Sequence, residues 1–225
     1  MKKQSFKKGI LVAVPIAVGY IPIALTFGLI AQQSGVSLLH TVLMSGLVFA
    51  GASQFMAINM MMSGSGGLEI VLASFILNFR HFVMSISLQD KLSSISKLNK
   101  ILLTSGITDE TFAVASLHEE KSDRFFFSGL FLTSYISWII GTILGGVLSN
   151  VIPADISESM SISLYAMFIG LLIPAVRKSW KYFVVSGFGL GLNTLISLFL
   201  STGWSIVLAT LGGALLGILF TRRKS

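Results

Sequence analysis

Three charged side chains, Arg80, Asp109 and Glu110, lie in the middle of otherwise apolar segments. An ionisable side chain at membrane depth is costly unless it is paired or hydrated, so such residues mark functional sites by default. A carboxylate there can carry a proton or bind a cation, and a guanidinium can pair with it or bind a substrate carboxylate. The pattern predicts an ion pair between Arg80 and Asp109 within a polar pathway.

The two carboxylates are adjacent in sequence, so they point about 100° apart if their segment is helical. We expect Asp109 to be central and Glu110 to support it, and the sequence alone does not decide between them. His81 follows Arg80 and is a candidate for a proton relay, although a packed histidine also fits this position. A purely structural salt bridge between Arg80 and Asp109 also satisfies the pattern.

Long charge-free stretches surround these residues. No Lys, Arg, Asp or Glu occurs in residues 9–68, 125–154 or 182–221. A membrane-spanning helix needs about 20 mostly apolar residues, so each stretch has room for one or two crossings. Only 11% of the 225 residues are charged, against about 25% in soluble domains. The composition predicts an all-α, polytopic integral membrane bundle, with residues 1–225 forming a single transmembrane domain.

Eight apolar segments are apparent: 9–31, 38–62, 68–88, 101–117, 125–150, 159–176, 182–200 and 203–221. The segment 101–117 is short for a crossing, so a half-helix or a re-entrant element is an alternative there. Eight full crossings would place Lys91, Lys97 and Lys100 outside the cell, against the usual preference of basic residues for the cytoplasmic side. Seven and eight crossings both remain open.

Basic clusters predict the orientation. They lie before the first segment, between residues 177 and 181, and after the last segment at 222–224. Lys and Arg accumulate at cytoplasmic helix ends, so we expect a multi-pass protein of the cell (plasma) membrane with both termini in the cytoplasm. The net charge of +7 therefore indicates membrane topology and no nucleic-acid partner, because no soluble basic face is present.

Helix-breaking and polar residues complete the candidate pathway. Pro15, Gly19 and Pro22 predict that the first helix is kinked or broken, and breaks at membrane depth face protein or a water-filled cavity. We expect Pro22 to line the pathway beside Asp109, together with three polar side chains. These are Ser53, Gln54 and Asn78.

Small-residue pairs predict close helix contacts in the second half of the chain. They are Gly141/Gly145, Gly187/Gly191 and Gly213/Gly217.

Enzyme chemistry is not indicated. The sequence has no P-loop, no HExxH and no Ser/His/Asp set in recognisable context. Three scattered histidines and no cysteine argue against a transition-metal site and exclude disulfides. We therefore predict neither a resident metal nor a cofactor.

Several motifs in order resemble the AzlC family, the large subunit of two-component branched-chain amino-acid exporters. They are Gly19-Tyr20-Ile21-Pro22 with Phe27-Gly28, Phe49-Ala50-Gly51-Ala52-Ser53-Gln54-Phe55, Asn78-Phe79-Arg80-His81, Thr108-Asp109-Glu110-Thr111-Phe112-Ala113, and Ser137-Trp138 with Gly141-Thr142. The last third of the chain is similar mainly in hydropathy. The resemblance implies export of leucine, isoleucine, valine or analogues, and a separate small membrane subunit of the AzlD type.

The residues themselves favour a secondary transporter, because a zwitterionic substrate needs an anion-binding group, a cation-binding group and an apolar lining. Proton or ion coupling is expected, since the chain has no P-loop for ATP. Two alternatives fit the same residues. One is a small-ion or metabolite channel, and the other is a non-transporting membrane assembly subunit.

Overall fold

A computed structural model describes residues 2–93, 95–118, 124–152, 162, 169–170, 172–173, 176–177 and 179–222. Within these residues nine α-helices have defined bounds and no β-strand occurs, which confirms the predicted all-α fold. The helices are α1 (Lys2–Gln33), α2 (Leu38–Leu47), α3 (Gly51–Met62), α4 (Gly67–Ser87), α5 (Lys97–Thr104), α6 (Asp109–Leu117), α7 (Arg124–Leu148), α8 (Trp180–Ile196) and α9 (Thr202–Arg222). Among the described helices, α1, α4 and α7 are long and apolar enough to cross a membrane.

The chain divides into two compact units. The first comprises Met1–Gln54 and Asn78–Met160, and the second comprises Phe55–Leu77 and Ser161–Ser225. The division falls inside α3 and α4, so each of these helices gives residues to both units. All the charged candidates belong to the first unit. A single transmembrane domain over residues 1–225 stays a prediction.

The core of the first unit is the contact between α1 and α7, where glycines let the two backbones approach closely. Gly28 of α1 lies against the backbone of α7, and Gly141 and Gly145 of α7 lie against the backbone of α1. Helix association in lipid depends on van der Waals packing, which small residues permit. The close contact predicted from the Gly141/Gly145 spacing is thus confirmed.

We expect Gly141→Ala to destabilise this contact. A Cβ at position 141 would lie 2.7 Å from both the Ala24 Cβ and the Ile21 carbonyl oxygen. Overpacking of this kind costs about 1–3 kcal/mol, so the melting temperature of the detergent-purified protein should fall. Gly19→Ala is the matched control, because no atom of another element in the described part of the chain lies within 4 Å of the Cβ that it adds. Equal melting temperatures for the two variants would contradict the prediction.

The first helix was predicted to be kinked or broken at its prolines. Helix α1 is continuous from Lys2 to Gln33, so it is not broken at Pro15 or Pro22. A proline removes one backbone donor from a helix, and packing on both sides can hold the helix together across that loss. Close contacts of Gly9 and Gly28 with α7 supply such packing on either side of the two prolines. A kink in α1 stays a prediction.

The interruption lies instead in the second apolar segment, where residues 48–50 separate α2 from α3. The N–H of Val48 still bonds to the Met44 carbonyl, and α3 then begins at Gly51. The two helices have 10 and 12 residues, which correspond to about 15 and 18 Å. Each is long enough for roughly half of the 30 Å hydrocarbon core.

The segment 101–117 is divided as well, because residues 105–108 separate α5 from α6. Thr108 caps α6: its hydroxyl accepts the Thr111 N–H at 3.3 Å, while the Thr111 hydroxyl accepts the Thr108 N–H at 2.8 Å. With eight and nine residues, each helix is only about 12–14 Å long. Neither can cross a bilayer alone, which agrees with the half-helix alternative.

In the second unit, α8 packs against α9. A Cβ at Gly213 would lie 2.7 Å from the Cα of Gly189, and Gly217 is also in close contact with α8. The contact predicted from the Gly213/Gly217 spacing is therefore confirmed. Among the described residues, no atom of another element lies within 4 Å of a Cβ built at Gly187 or Gly191, and Gly189, between them, contacts α9. The contact predicted for the Gly187/Gly191 pair stays a prediction.

The number of crossings stays a prediction. The predicted segments 182–200 and 203–221 correspond to α8 and α9. The predicted segment 159–176 lies for the most part outside the described residues.

Candidate functional site

The first unit contains the ion pair predicted between Arg80 and Asp109. Arg80 Nη1 lies 2.9 Å from Asp109 Oδ2, and the two side chains are 31% and 28% exposed. Arg80 is on α4, and Asp109 is the first residue of α6, directly after the cap Thr108. The dipole of a helix favours a negative charge at its N-terminus. The turn before α6 thus places a carboxylate where both the helix end and the guanidinium stabilise it.

Glu110 has a different partner. The Tyr20 hydroxyl, on α1, donates to Glu110 Oε2 at 2.6 Å and lies 2.6 Å from the Thr108 hydroxyl. Tyr20 is buried, with 5% of its surface exposed. The two adjacent carboxylates therefore meet different elements. Asp109 meets a cation from α4, whereas Glu110 meets a neutral hydroxyl from α1.

Arg80 keeps hydrogen-bonding capacity beyond its contact with Asp109. Its Nε is buried and has no acceptor within the described part of the chain. A guanidinium carries five N–H donors, and a buried donor without an acceptor is unfavourable. The arginine is therefore suited to bind a further anionic group.

Asn78 connects α4 to α3. Its Nδ2 donates to the Ser53 hydroxyl at 3.0 Å, while its Oδ1 is buried without a partner among the described residues. Asn78 and Arg80 are two residues apart on one helix, so they face about 200° apart. Helix α4 consequently directs Asn78 towards α3 and Arg80 towards α6.

Gln54, near the start of α3, is the centre of a buried polar network. Its Nε2 donates to the Ser45 hydroxyl at 2.9 Å, and its Oε1 accepts the Trp138 indole N–H at 2.9 Å. The Ser45 and Thr142 hydroxyls are 2.7 Å apart. The Trp138 ring also meets the Tyr20 ring edge to face, with centroids 5.3 Å apart. The network thus joins α2, α3 and α7 around the helix interruption and contacts the residue that binds Glu110.

A cavity of about 380 Å³ lies beside the turn that precedes α6. Its walls come from α5, the turn and α7, and they are mostly apolar: Leu102, Leu103, Ser105, Gly106, Ser128, Phe131, Leu132 and Tyr135. The volume is in the range of small-molecule pockets. Gly106 is three residues before Asp109, so their Cα atoms can be at most about 11 Å apart.

The structure brings only some of the predicted site residues together. Arg80 meets Asp109 and Asn78 meets Ser53. His81 is partly buried beside Arg80. Pro22 is exposed on α1, about 200° around the helix from Tyr20. The participation of these residues in a pathway stays a prediction.

Some contact residues were not recognised from the sequence as site residues. They are Tyr20, Ser45, Thr108, Trp138 and Thr142. Thr108 carries a local signal, because threonine before two acidic residues is typical of a helix start. The others make contacts about 85 to 100 residues away in sequence, and no local pattern indicates them.

Long apolar helices and an ion pair between two of its elements define this chain as a helical integral membrane protein with a charged site. The chain belongs to the AzlC protein family, whose sequence profile matches residues 15–152.

Three relatives illustrate the similarity. An uncharacterized membrane protein of Archaeoglobus fulgidus is 35% identical over 96% of this chain and 95% of its own length. The inner membrane protein YgaZ of Escherichia coli is 30% identical over 96% of this chain and 89% of its own length. The branched-chain amino acid transport protein AzlC of Bacillus subtilis is 25% identical over 98% of this chain and 86% of its own length. No solved structure is significantly similar to the chain.

Proposed function

We propose that this protein is a secondary active transporter that exports branched-chain amino acids. The observation that carries the proposal is the Arg80–Asp109 ion pair beside a second carboxylate, Glu110, that has no cation partner among the described residues. Charged groups of both signs at one helix interruption suit a small zwitterion. The name of the Bacillus subtilis relative, a branched-chain amino acid transport protein, supports this substrate class.

Each part of the substrate has a candidate partner. The Nε–H of Arg80, which has no acceptor among the described residues, suits the α-carboxylate, and the carboxylates of Asp109 and Glu110 suit the α-ammonium group. The cavity beside Gly106 offers apolar volume for the alkyl side chain. We propose that the remaining predicted residues line the route to this site: Asn78, His81, Ser53, Gln54 and Pro22.

Three further features belong to the proposal. Export is driven by a proton or ion gradient, since the sequence has no P-loop for ATP. A small membrane subunit of the AzlD type works with the chain, as the family resemblance implies. The protein is a single domain in the cell membrane with both termini in the cytoplasm, because basic residues mark cytoplasmic helix ends.

Proteoliposomes loaded with labelled leucine test the function directly. Efflux should need this chain, should depend on the imposed pH gradient, and should be measured with and without the small subunit. Fluxes too fast for alternating access would indicate a channel instead. Efflux that survives neutralisation of Arg80 and Asp109 would show that the pair is dispensable, as expected if the chain is an assembly subunit.

Cysteine labelling tests the route. The chain has no native cysteine, so a single introduced thiol reports on its own site. Ser53 is buried and bonded to Asn78, so Ser53→Cys should react slowly with a water-soluble maleimide, and leucine should slow the reaction several-fold more. Ser63→Cys, in the exposed turn after α3, should react quickly with or without leucine. Labelling of Ser53→Cys that leucine does not affect would contradict a position on the route.

A further inference from the structure

The charges at the start of α6 do not balance. Arg80 contributes one positive charge, while Asp109 and Glu110 contribute two negative charges. Arg80 Nη1 contacts Asp109 at 2.9 Å, and the bond recorded for Glu110 comes from the neutral Tyr20 hydroxyl. A carboxylate within an apolar segment of a membrane protein is costly unless a cation or a proton offsets its charge. Within the part of the chain that the structure describes, the site is therefore one positive charge short.

We propose that a proton and the amino group of the substrate compete for Glu110, and that this competition couples amino-acid export to proton entry. The inference rests on the proposed function and assigns its coupling step to one residue. A carboxylate bonded to an ammonium group is ionised, and a protonated carboxyl group has no charge with which to hold that ammonium. Glu110 can therefore hold either ligand but not both.

The surroundings of the two carboxylates favour Glu110 over Asp109 as the group that binds the proton or the substrate ammonium. Among the described residues, Tyr20 from α1 bonds to Glu110, Asp109 is its neighbour on α6, and Arg80 and His81 from α4 lie on the Asp109 side. A proton or ammonium at Asp109 would have to compete with the guanidinium of Arg80. At Glu110, among the described residues, it competes with a hydrogen bond from the neutral Tyr20 hydroxyl.

Tyr20 is placed to accommodate both states of Glu110. Its hydroxyl lies 2.6 Å from Glu110 Oε2 and 2.6 Å from the Thr108 hydroxyl. A phenol can donate one hydrogen bond and accept another. When Glu110 is ionised, Tyr20 donates to it. When Glu110 is protonated, the carboxyl group can donate to Tyr20, which then donates to Thr108. Neither state leaves the buried phenol without a partner.

The proton balance of the cycle follows. In the state open to the cytoplasm, the arriving ammonium displaces the proton of Glu110, which leaves to cytoplasmic water. After the amino acid departs outside, Glu110 takes a proton from the external water, and the neutral site returns. One proton enters for each amino acid exported.

Leucine binding to the purified full-length protein tests the competition without any substitution. On the acidic side of the transition, affinity should fall by about tenfold per pH unit, and binding should release up to about one proton per leucine into a weakly buffered solution. The keto acid 4-methyl-2-oxopentanoate has the same carboxylate and alkyl chain but no amino group. Its binding should release no proton.

Glu110→Gln provides the second test of the competition, because glutamine keeps the shape of the carboxyl group and cannot exchange a proton. This variant should bind leucine more weakly, with no pH dependence and no proton release. Glu69→Gln is the matched control, since Glu69 bonds to Ser201 in the second unit, and it should behave as the wild type does.

Two results would overturn the inference and leave the proposed function standing. One is leucine binding by the wild type without proton release, and the other is an unchanged pH dependence in Glu110→Gln. A wild-type protein that neither binds nor exports leucine, with its small subunit present, would overturn both.

Discussion

Arg80→Ala and Asp109→Asn should each reduce the amount of folded protein and abolish leucine export. Each change leaves a charge without the partner that lies 2.9 Å away. Breaking a fully buried ion pair costs about 3–5 kcal/mol. These side chains are 31% and 28% exposed, and because solvent screens exposed charges, we expect a loss nearer to about 1–3 kcal/mol. Thermal unfolding in detergent measures the loss, and efflux from proteoliposomes measures transport.

The double variant separates structure from function. With both charges removed, neither member of the pair is left without its partner, so the double variant should be more stable than the sum of the two losses predicts, by about 0.5–3 kcal/mol. Transport should stay absent, because the protein then lacks the Arg80 guanidinium that binds the substrate carboxylate. The control combines Arg80→Ala with Asp90→Asn, whose side chain is exposed, and the two losses there should simply add. Normal transport by the double variant would show that the pair is dispensable.

The charged site was predictable because its signal is local. An arginine and two acids within apolar segments are conspicuous in the sequence, and opposite charges at similar depth are expected to pair. The long charge-free stretches likewise predict the helical class, since only helices and closed barrels satisfy backbone hydrogen bonds in lipid. These inferences need no knowledge of which helices are neighbours.

The helix interruptions were harder to place, because tertiary contacts decide them. Two prolines favoured a break in α1, yet α1 is continuous and closely packed on α7. The interruption at residues 48–50 contains neither proline nor glycine. It is flanked by Ser45 and Gln54, which bond to each other. Gln54 also accepts from Trp138, and Ser45 bonds to Thr142, so both residues have partners far away in sequence. Sequence periodicity carries no information about such partners.

Gln54→Leu should destabilise the protein and impair export. Gln54 is 2% exposed and bonds to both Ser45 and Trp138. Leucine fills a similar volume but leaves the buried indole N–H of Trp138 without an acceptor, and one such unsatisfied group costs about 1–3 kcal/mol. Export should fall as well, because the same bonds hold α2 and α3 together across their interruption. Melting temperature and leucine efflux measure the two effects.

Adding Trp138→Phe to the Gln54→Leu variant tests whether the unpaired indole N–H causes the loss of stability. Phenylalanine keeps a ring that can contact Tyr20 but has no N–H, and removing both partners of a hydrogen bond is far less costly than removing one. The Gln54→Leu/Trp138→Phe protein should therefore be more stable than the sum of the two single losses predicts. Gln89→Leu, at an exposed position after α4, should leave both the melting temperature and export unchanged. If Gln54→Leu melts at the wild-type temperature, the network does not hold the interruption together, and residues 48–50 must owe their conformation to the packing of Phe49 against Tyr135 and Trp138.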